Sequence, residues 1–326
     1  PSNWFALFLR RMSEENTGQT GPHDSNRKEE PPHDENSKER EKRLNSYITF
    51  SPGKTIGDWR IIEEIGRGMF GEKKYLVERT GRYSVRAALT AEPTGCEGGS
   101  IKLEVEALYK INPFGSMPHL PVLFHSEYGT KFDYLVSTLV GENLKDLRNK
   151  MDKCDGSWPT FNVSTWVRLA IQALYALKLV HDQGFLHRDI KPNNFAMGHP
   201  SDQERSRLLF LLEFALSRSY AVNFNGKWYN RLARARAEFR GTARYCSPNV
   251  HHEQEQGRRD DIWSLFFVLI EFHCGLPWQE IRDRSMIAQI KCHLSDEGLM
   301  QNMPRELRGV IPSLRELDCY KRPDYS

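Results

Sequence analysis

The run His187-Arg188-Asp189-Ile190-Lys191-Pro192-Asn193-Asn194 constrains this chain more than any other feature. One short stretch supplies a carboxylate, an ammonium and an amide oxygen. Moving a phosphoryl group needs those three: a carboxylate to orient the attacking hydroxyl, a cation to offset charge on the transferred group, and a hard oxygen ligand for Mg²⁺. The bland alternative is a polar surface loop. The order of the residues, after a helical apolar stretch and before a strand-like one, argues against it. Asp189, Lys191 and Asn194 are therefore the candidate catalytic residues, and Asn194 is also a candidate metal ligand.

A second pattern lies far upstream. Gly66-Arg67-Gly68-Met69-Phe70-Gly71 is a GxGxxG, which alone says little. A dinucleotide-binding turn of this type opens a helix and is followed by an acidic residue about 20 positions on. Here the next stretch, Lys73-Lys-Tyr-Leu-Val-Glu78, alternates like a strand. A glycine loop between two strands suits backbone amides that cover phosphates. Gly66, Gly68 and Gly71 thus become candidate nucleotide-binding residues.

The rest of the chain supports two unlike halves. Trp59–Ile65, Lys73–Glu78, Tyr83–Glu92 and Phe132–Leu139 read as strands, and Ile101–Ile111 has apolar positions at helical spacing. Beyond Val140 the pattern turns helical, with long apolar periods over Thr165–Gln183 and Asp261–Cys274. The expectation is an α+β protein of two lobes with a cleft between them. Before this, Ser13–Arg43 is nearly devoid of apolar residues, so residues 1–45 are expected to form a disordered polar segment. The ordered domain is expected over 46–326, with a first lobe at 46–138, a hinge at 138–142 and a second lobe at 143–326.

Net charge is +3, too mild to argue for nucleic acid. Six cysteines lie far apart without metal spacing, as idle thiols in a reducing compartment would. The apolar start Pro1–Arg10 has its charges after the apolar stretch, the reverse of a signal peptide, and no run reaches the ~20 apolar residues of a membrane span. The expectations are no nucleic-acid or membrane partner, and a cytoplasmic or nuclear location. The opening on Pro1 fits a fragment of a longer protein.

The loop from His187 to Asn194, together with Gly241-Thr-Ala-Arg-Tyr245, Ser247-Pro-Asn249 and Gly257-Arg-Arg-Asp-Asp-Ile-Trp-Ser-Leu265, resembles the casein kinase 1 group of eukaryotic protein kinases. Lys191-Pro-Asn-Asn-Phe-Ala-Met-Gly198 and Gly275-Leu-Pro-Trp278 bring it nearest the tau-tubulin kinase branch. The likeness runs from about Trp59 to Tyr325. It implies the two-lobed kinase fold, with ATP and Mg²⁺ as cofactors if the chain is active. It also implies that Ala88 and Leu139 line the nucleotide site, that Gly241 and Thr242 line the substrate side, and that Asp261 anchors the catalytic loop from a buried helix. Kinases of this group continue through further helices beyond the point reached at Pro323-Asp324-Tyr325, so the second lobe is expected to be truncated.

The sequence departs from that pattern where the chemistry is most exacting. Thr90, in Ala87-Ala-Leu-Thr90, stands where the lysine that grips the α- and β-phosphates belongs, so its helical partner Glu104 reads as a solvated residue. Glu213-Phe214-Ala215 replaces Asp-Phe-Gly. The carboxylate is displaced by one methylene, which should weaken Mg²⁺ binding, and Ala215 lacks glycine's freedom to take φ > 0. Lys73 replaces a valine that usually roofs the adenine. It either reaches into the cleft in place of the lost lysine or projects to solvent.

Arg240 and Arg244, with Lys227, Arg231, Arg234 and Arg236, form a basic stretch. If they converge they would hold an acidic or phosphorylated protein; otherwise they are a solvated loop. Three functions remain open from the residues: an impaired kinase homologue acting as a scaffold or regulator, a working serine/threonine kinase in which Lys73 replaces the missing cation, or a nucleotide-binding switch without transfer.

Overall fold

The computed structural model describes residues 45–68, 71–81, 85–95, 99–151 and 160–326. The expectation for residues 1–44, and those touching Met69, Phe70, Tyr83, Cys96 and Cys154, lie outside the described residues. Between Leu44 and Ser326 the chain forms one compact unit.

Its first part is a six-stranded antiparallel sheet: β1 (Thr55–Ile56), β2 (Trp59–Arg67), β3 (Lys73–Arg79), β4 (Arg86–Pro93), β5 (Leu123–Tyr128) and β6 (Phe132–Thr138), in the order β1-β2-β3-β4-β6-β5. Alternation along β3 sends Lys73, Tyr75 and Val77 to one face and Lys74 and Leu76 to the other. The first face meets Ile48, Phe50, Trp59 and Ile61 in an apolar cluster. The Tyr75 hydroxyl ties residues 48–50 down, donating to Ile48 O at 2.6 Å and accepting from Phe50 N at 3.2 Å.

Helix α1 (Ser100–Ile111) packs against β4, β5 and β6. Its N-terminus is capped from the sheet: the Glu92 carboxylate accepts from Ser100 N, Ser100 Oγ and Ile101 N at 2.8–3.0 Å. An anion there satisfies donors that a helix start leaves open and meets the positive end of its dipole.

After β7 (Val140–Asn143) the chain becomes helical, with α2 (Leu144–Asn149), α3 (Val163–Asp182), α4 (Pro248–His251), α5 (Arg258–His273), α6 (Arg284–His293), α7 (Asp296–Met300) and α8 (Val310–Glu316). Asn143, Asn162, Asp283 and Ser295 cap α2, α3, α6 and α7 by accepting a backbone N–H three residues on. Helix α3 is long and apolar enough to cross a membrane by composition alone, contrary to the sequence expectation. It instead buries Trp166, Leu169, Ala173, Ala176, Leu177 and Val180 and packs against α5.

Between α3 and α4 run the short strands β8 (Phe185–Leu186), β9 (Phe195–Gly198), β10 (Leu209–Leu211), β11 (Arg218–Ser219), β12 (Ala221–Phe224) and β13 (Lys227–Asn230). Sheet β10-β9-β7 carries the loop His187–Asn194 and Glu213 at the same end, because Leu211 pairs with Phe195 and Leu212 N donates to Asn194 O at 2.8 Å. This is the expected α+β arrangement of a sheet-rich lobe and a helical lobe.

Candidate active site

A cavity of about 720 Å³ opens where these segments meet. Gly68, Glu72 and Lys74 line it from the sheet. Asp189, Lys191, Asn194, Glu213, Thr242 and Arg244 line it from the helical part.

The loop that dominates the sequence is held as its chemistry requires. Asp261, buried on α5, accepts from His187 N and Arg188 N, each at 2.8 Å, and lies 2.9 Å from His181 Nε2. Burial alone would raise its pKa. The His181 bond and the other donors hold it below the usual carboxylate value, so it stays charged. Arg188 takes φ +67° and donates from Nε to Leu216 O at 2.7 Å. His187 Nε2 meets Leu212 O at 2.9 Å, and the ring lies 5.1 Å from that of Phe214. Burial lowers the His187 pKa, which keeps the imidazole neutral as an Nε2–H donor.

Asp189 is thereby presented to the cavity with three polar neighbours. Lys191 Nζ donates to its Oδ2 at 2.7 Å, Thr242 Oγ1 to its Oδ1 at 2.7 Å, and Asn194 Nδ2 to its backbone oxygen at 2.9 Å. The structure thus brings Asp189, Lys191, Asn194 and Thr242 together. The Asn194 amide, engaged through nitrogen, leaves its oxygen as a metal donor.

The upper side differs from expectation. Lys73 neither enters the cleft nor projects to solvent. It is buried on the apolar face, with Nζ 2.7 Å from Thr49 Oγ1 and 3.8 Å from Glu64 Oε2. Strand parity explains this, because Lys73 shares its face with Tyr75 and Val77. Lys74 is the cleft lysine. It pairs across the ladder with Thr90, so the two share a face, and its ammonium is hydrogen-bonded to Glu213 Oε1.

Glu104 also departs from expectation. It is half-buried rather than solvated, and its carboxylate accepts from Phe214 N–H beside Glu213 and Lys74. Burial, then the Glu213 charge, push its pKa up to about 8 against the pull of Lys74. Burial lowers the Lys74 pKa, but Glu213, Glu104 and Glu72 outweigh it and hold the ammonium charged.

Glu213 adopts φ +66°, a left-handed conformation costly for a side chain other than glycine or asparagine. Its carboxylate is neutralised by Lys74. As arranged, the donor set therefore does not fit Mg²⁺: one amide oxygen remains, beside a lengthened carboxylate already taken by a cation.

The glycine turn is tight: Gly68 N donates to Glu72 O at 2.8 Å, and Gly71 has φ +89°. A Cβ on Gly68 would meet the Glu72 side chain at 2.1 Å. Ala88 lies opposite Leu76, and Leu139 joins β6 to β7; both are half-buried and lie outside the lining of the cavity described above.

The basic stretch converges only in part. Arg234, Arg236 and Arg240 are paired with Glu255, Glu253 and Glu238. Arg244 reaches the Gln279 carbonyl at 2.6 Å and the buried Glu271 at 3.4 Å. Arg188 is nonetheless pushed down to about 10, by burial and then by Arg218, with Arg234 and Arg240 adding to the effect.

Sequence reasoning missed Lys291 of α6. Its buried ammonium donates to Ala243 O at 2.7 Å and Cys246 O at 2.6 Å, supporting the segment that carries Thr242. A single lysine on an amphipathic helix gave no signal for it.

Residues 59–326 match the family model described as the protein kinase domain. Among curated relatives, a Caenorhabditis elegans protein named inactive tau-tubulin kinase ttbk-6 is 42% identical over 68% of this chain and 77% of its own length. A candidate serine/threonine-protein kinase of the same organism is 35% identical over 85% of this chain and 78% of its own. A candidate serine/threonine-protein kinase of Dictyostelium discoideum is 34% identical; the match covers 85% of this chain and about half of that relative, 54%.

Proposed function

The chain belongs to the protein kinase family, and from that premise we propose that it acts as a kinase-fold binding protein of the casein kinase 1, tau-tubulin kinase type, impaired in phosphoryl transfer. The Lys74–Glu213 ion pair carries this reading. Lys74 is the lysine that faces the phosphates from the sheet side and Glu213 is the carboxylate at the metal position, and here each neutralises the other. Glu72 and Glu104 lie beside them, so a polyphosphate approaches acidic groups. A pair of this kind must open before either group serves a ligand, and each 1.36 kcal/mol it costs is about tenfold in rate.

The binding role falls to the cleft and to the basic field around Arg188, Arg240 and Arg244, whose chemistry suits an acidic or phosphorylated protein. We place the hinge of the domain at residues 138–142. The name of the inactive relative is compatible with this reading.

One observation favours a second reading, a working serine/threonine kinase. Lys74 lies directly across from Thr90, so the cation missing from β4 is supplied by β3 on the same face. On this reading Lys74 leaves Glu213 for the phosphates, and Asp189 orients the attacking hydroxyl.

The two are separated by thermal shift with ATP, with and without Mg²⁺, followed by labelled phosphate transfer to casein. The binding reading expects at most weak stabilisation and no transfer. Metal-dependent stabilisation, with transfer that disappears in both Asp189→Asn and Lys74→Met, overturns it.

A further inference from the structure

Strands β12 and β13 form a hairpin inside the segment between Glu213 and Gly241, and none of its residues lines the cleft. Asn225 and Gly226, at φ +51° and +79°, close it. These are the two left-handed positions of the tight turn whose twist matches paired strands. The register is regular: Val222 faces Tyr229, Asn223 faces Trp228 and Phe224 faces Lys227.

One side of the hairpin is anchored. Ala221 is buried, and the Trp228 ring lies against Gly184, where an added Cβ would meet it at 2.5 Å. Arg231 N closes the base on Tyr220 O at 2.8 Å, and the Tyr220 hydroxyl donates to His181 O at 2.7 Å.

The other side is open. Val222, Phe224 and Tyr229 share it and are 47%, 65% and 56% exposed, and Leu232 follows at 89%. A contiguous apolar face on a rigid, registered hairpin is an unfavourable thing to leave in water, and such patches mark contact sites. Lys227 stands on the same face, with Arg231 just beyond. Among the described residues neither has an ion-pair partner, whereas Arg234, Arg236 and Arg240 do.

We propose that the outer face of the β12–β13 hairpin docks an extended segment of a partner protein that carries apolar and acidic side chains on the same side. Side chains at every second position of an extended segment share a face, so its apolar groups meet Phe224, Tyr229 and Val222 and its carboxylates meet Lys227 and Arg231 on that same side. The closing pair Phe224–Lys227 exchanges both of its hydrogen bonds, so the backbone groups of Asn223 and Trp228 point outward from the ladder. They are available to a third strand.

A second copy of this chain fits less well, because a two-fold contact brings two copies of the same cationic face together with no carboxylate of that face to pair with them. A lipid surface also fits less well, because the indole best suited to it, 49% exposed, lies on the opposite face of the hairpin against Gly184. The surface lies apart from the cleft, so docking here is independent of whether phosphate is transferred.

The test uses the full chain and two fluorescent probe peptides, one with Val, Glu and Tyr at every second position and Ser between them, the other with every Glu replaced by Lys. The first should bind in a salt-dependent manner and the second should not. Binding should weaken by about tenfold or more in Phe224→Ser/Tyr229→Ser and again in Lys227→Glu. All three side chains are exposed, and an unchanged melting temperature shows that the variants fold. Asp189→Asn should bind the peptide as the parent does, which separates this surface from the cleft. Equal binding by parent and hairpin variants overturns the proposal. So do binding to phosphatidylserine vesicles without binding to the peptide, hairpin-dependent self-association in place of peptide binding, and absence of peptide binding.

Discussion

Replacing Glu104 by glutamine should make the protein more stable at alkaline pH, and the reason lies in the crowding of charge around Lys74. Glu104 and Glu213 share that one ammonium, with Glu72 nearby. An ordinary glutamate titrates at 4.5, and Glu104 in place is pushed up to about 8. The folded protein therefore holds the Glu104 proton more tightly than the unfolded chain does. The corresponding stability is fully present below pH about 4.5 and is lost as pH rises through about 8.

At 1.36 kcal/mol per pH unit the interval is worth roughly 5 kcal/mol. Glu104 keeps part of its surface exposed to solvent, and screening reduces this to about 2 kcal/mol. Glutamine carries no charge and still accepts from Phe214 N–H, so the variant keeps the local geometry. Urea denaturation of both chains across this pH range should show curves that coincide near pH 4.5 and separate by about 2 kcal/mol above pH about 8, with the variant the more stable. Groups common to both chains cancel in the difference. A variant that is less stable throughout, or a difference constant with pH, refutes the crowded-carboxylate account.

Lys291→Met should cost about 2 kcal/mol by leaving Ala243 O and Cys246 O without their donor. Burial pushes Lys291 down to about 8 from an ordinary 10.5, so the folded state releases this proton first. Parent stability should then rise as pH climbs between those values, a slope that thermal melts of the methionine variant should lack. Lys73→Met should leave nucleotide affinity unchanged, because the side chain faces Thr49 rather than the cleft. Its effect should be faster amide exchange at Ile48–Phe50 and a loss of about 1 kcal/mol.

What could be read without the structure was whatever neighbours in the chain decide. His187 to Asn194 is a run of consecutive residues, so its groups are bound to lie close together, and the structure sets Lys191 Nζ and Asn194 Nδ2 on the Asp189 carboxylate. The helices α1, α3 and α5 follow from apolar spacing, and the sheet-then-helix order yields the two-lobed fold. Asp261 was legible because a carboxylate beside Trp263 on an apolar helix has few places to go except inward.

The cleft's electrostatics were not legible, because they depend on strand parity and pairing. Lys73 and Lys74 are adjacent and identical, and side chains along a strand alternate faces, so a shift of one residue exchanges them. Counting from the glycines selects Lys73. The ladder instead puts Lys74 opposite Thr90 and sends Lys73 to the apolar cluster with Tyr75. Glu104 reads as solvated when its partner is sought at Thr90, and as crowded once Lys74 and Glu213 are brought beside it from positions 30 and 109 residues away. Sequence alone determined the family, the fold and the catalytic loop, since those rest on local pattern. Which cation faces the cleft, and that it is spent on Glu213, was decided by long-range register, which no local pattern encodes.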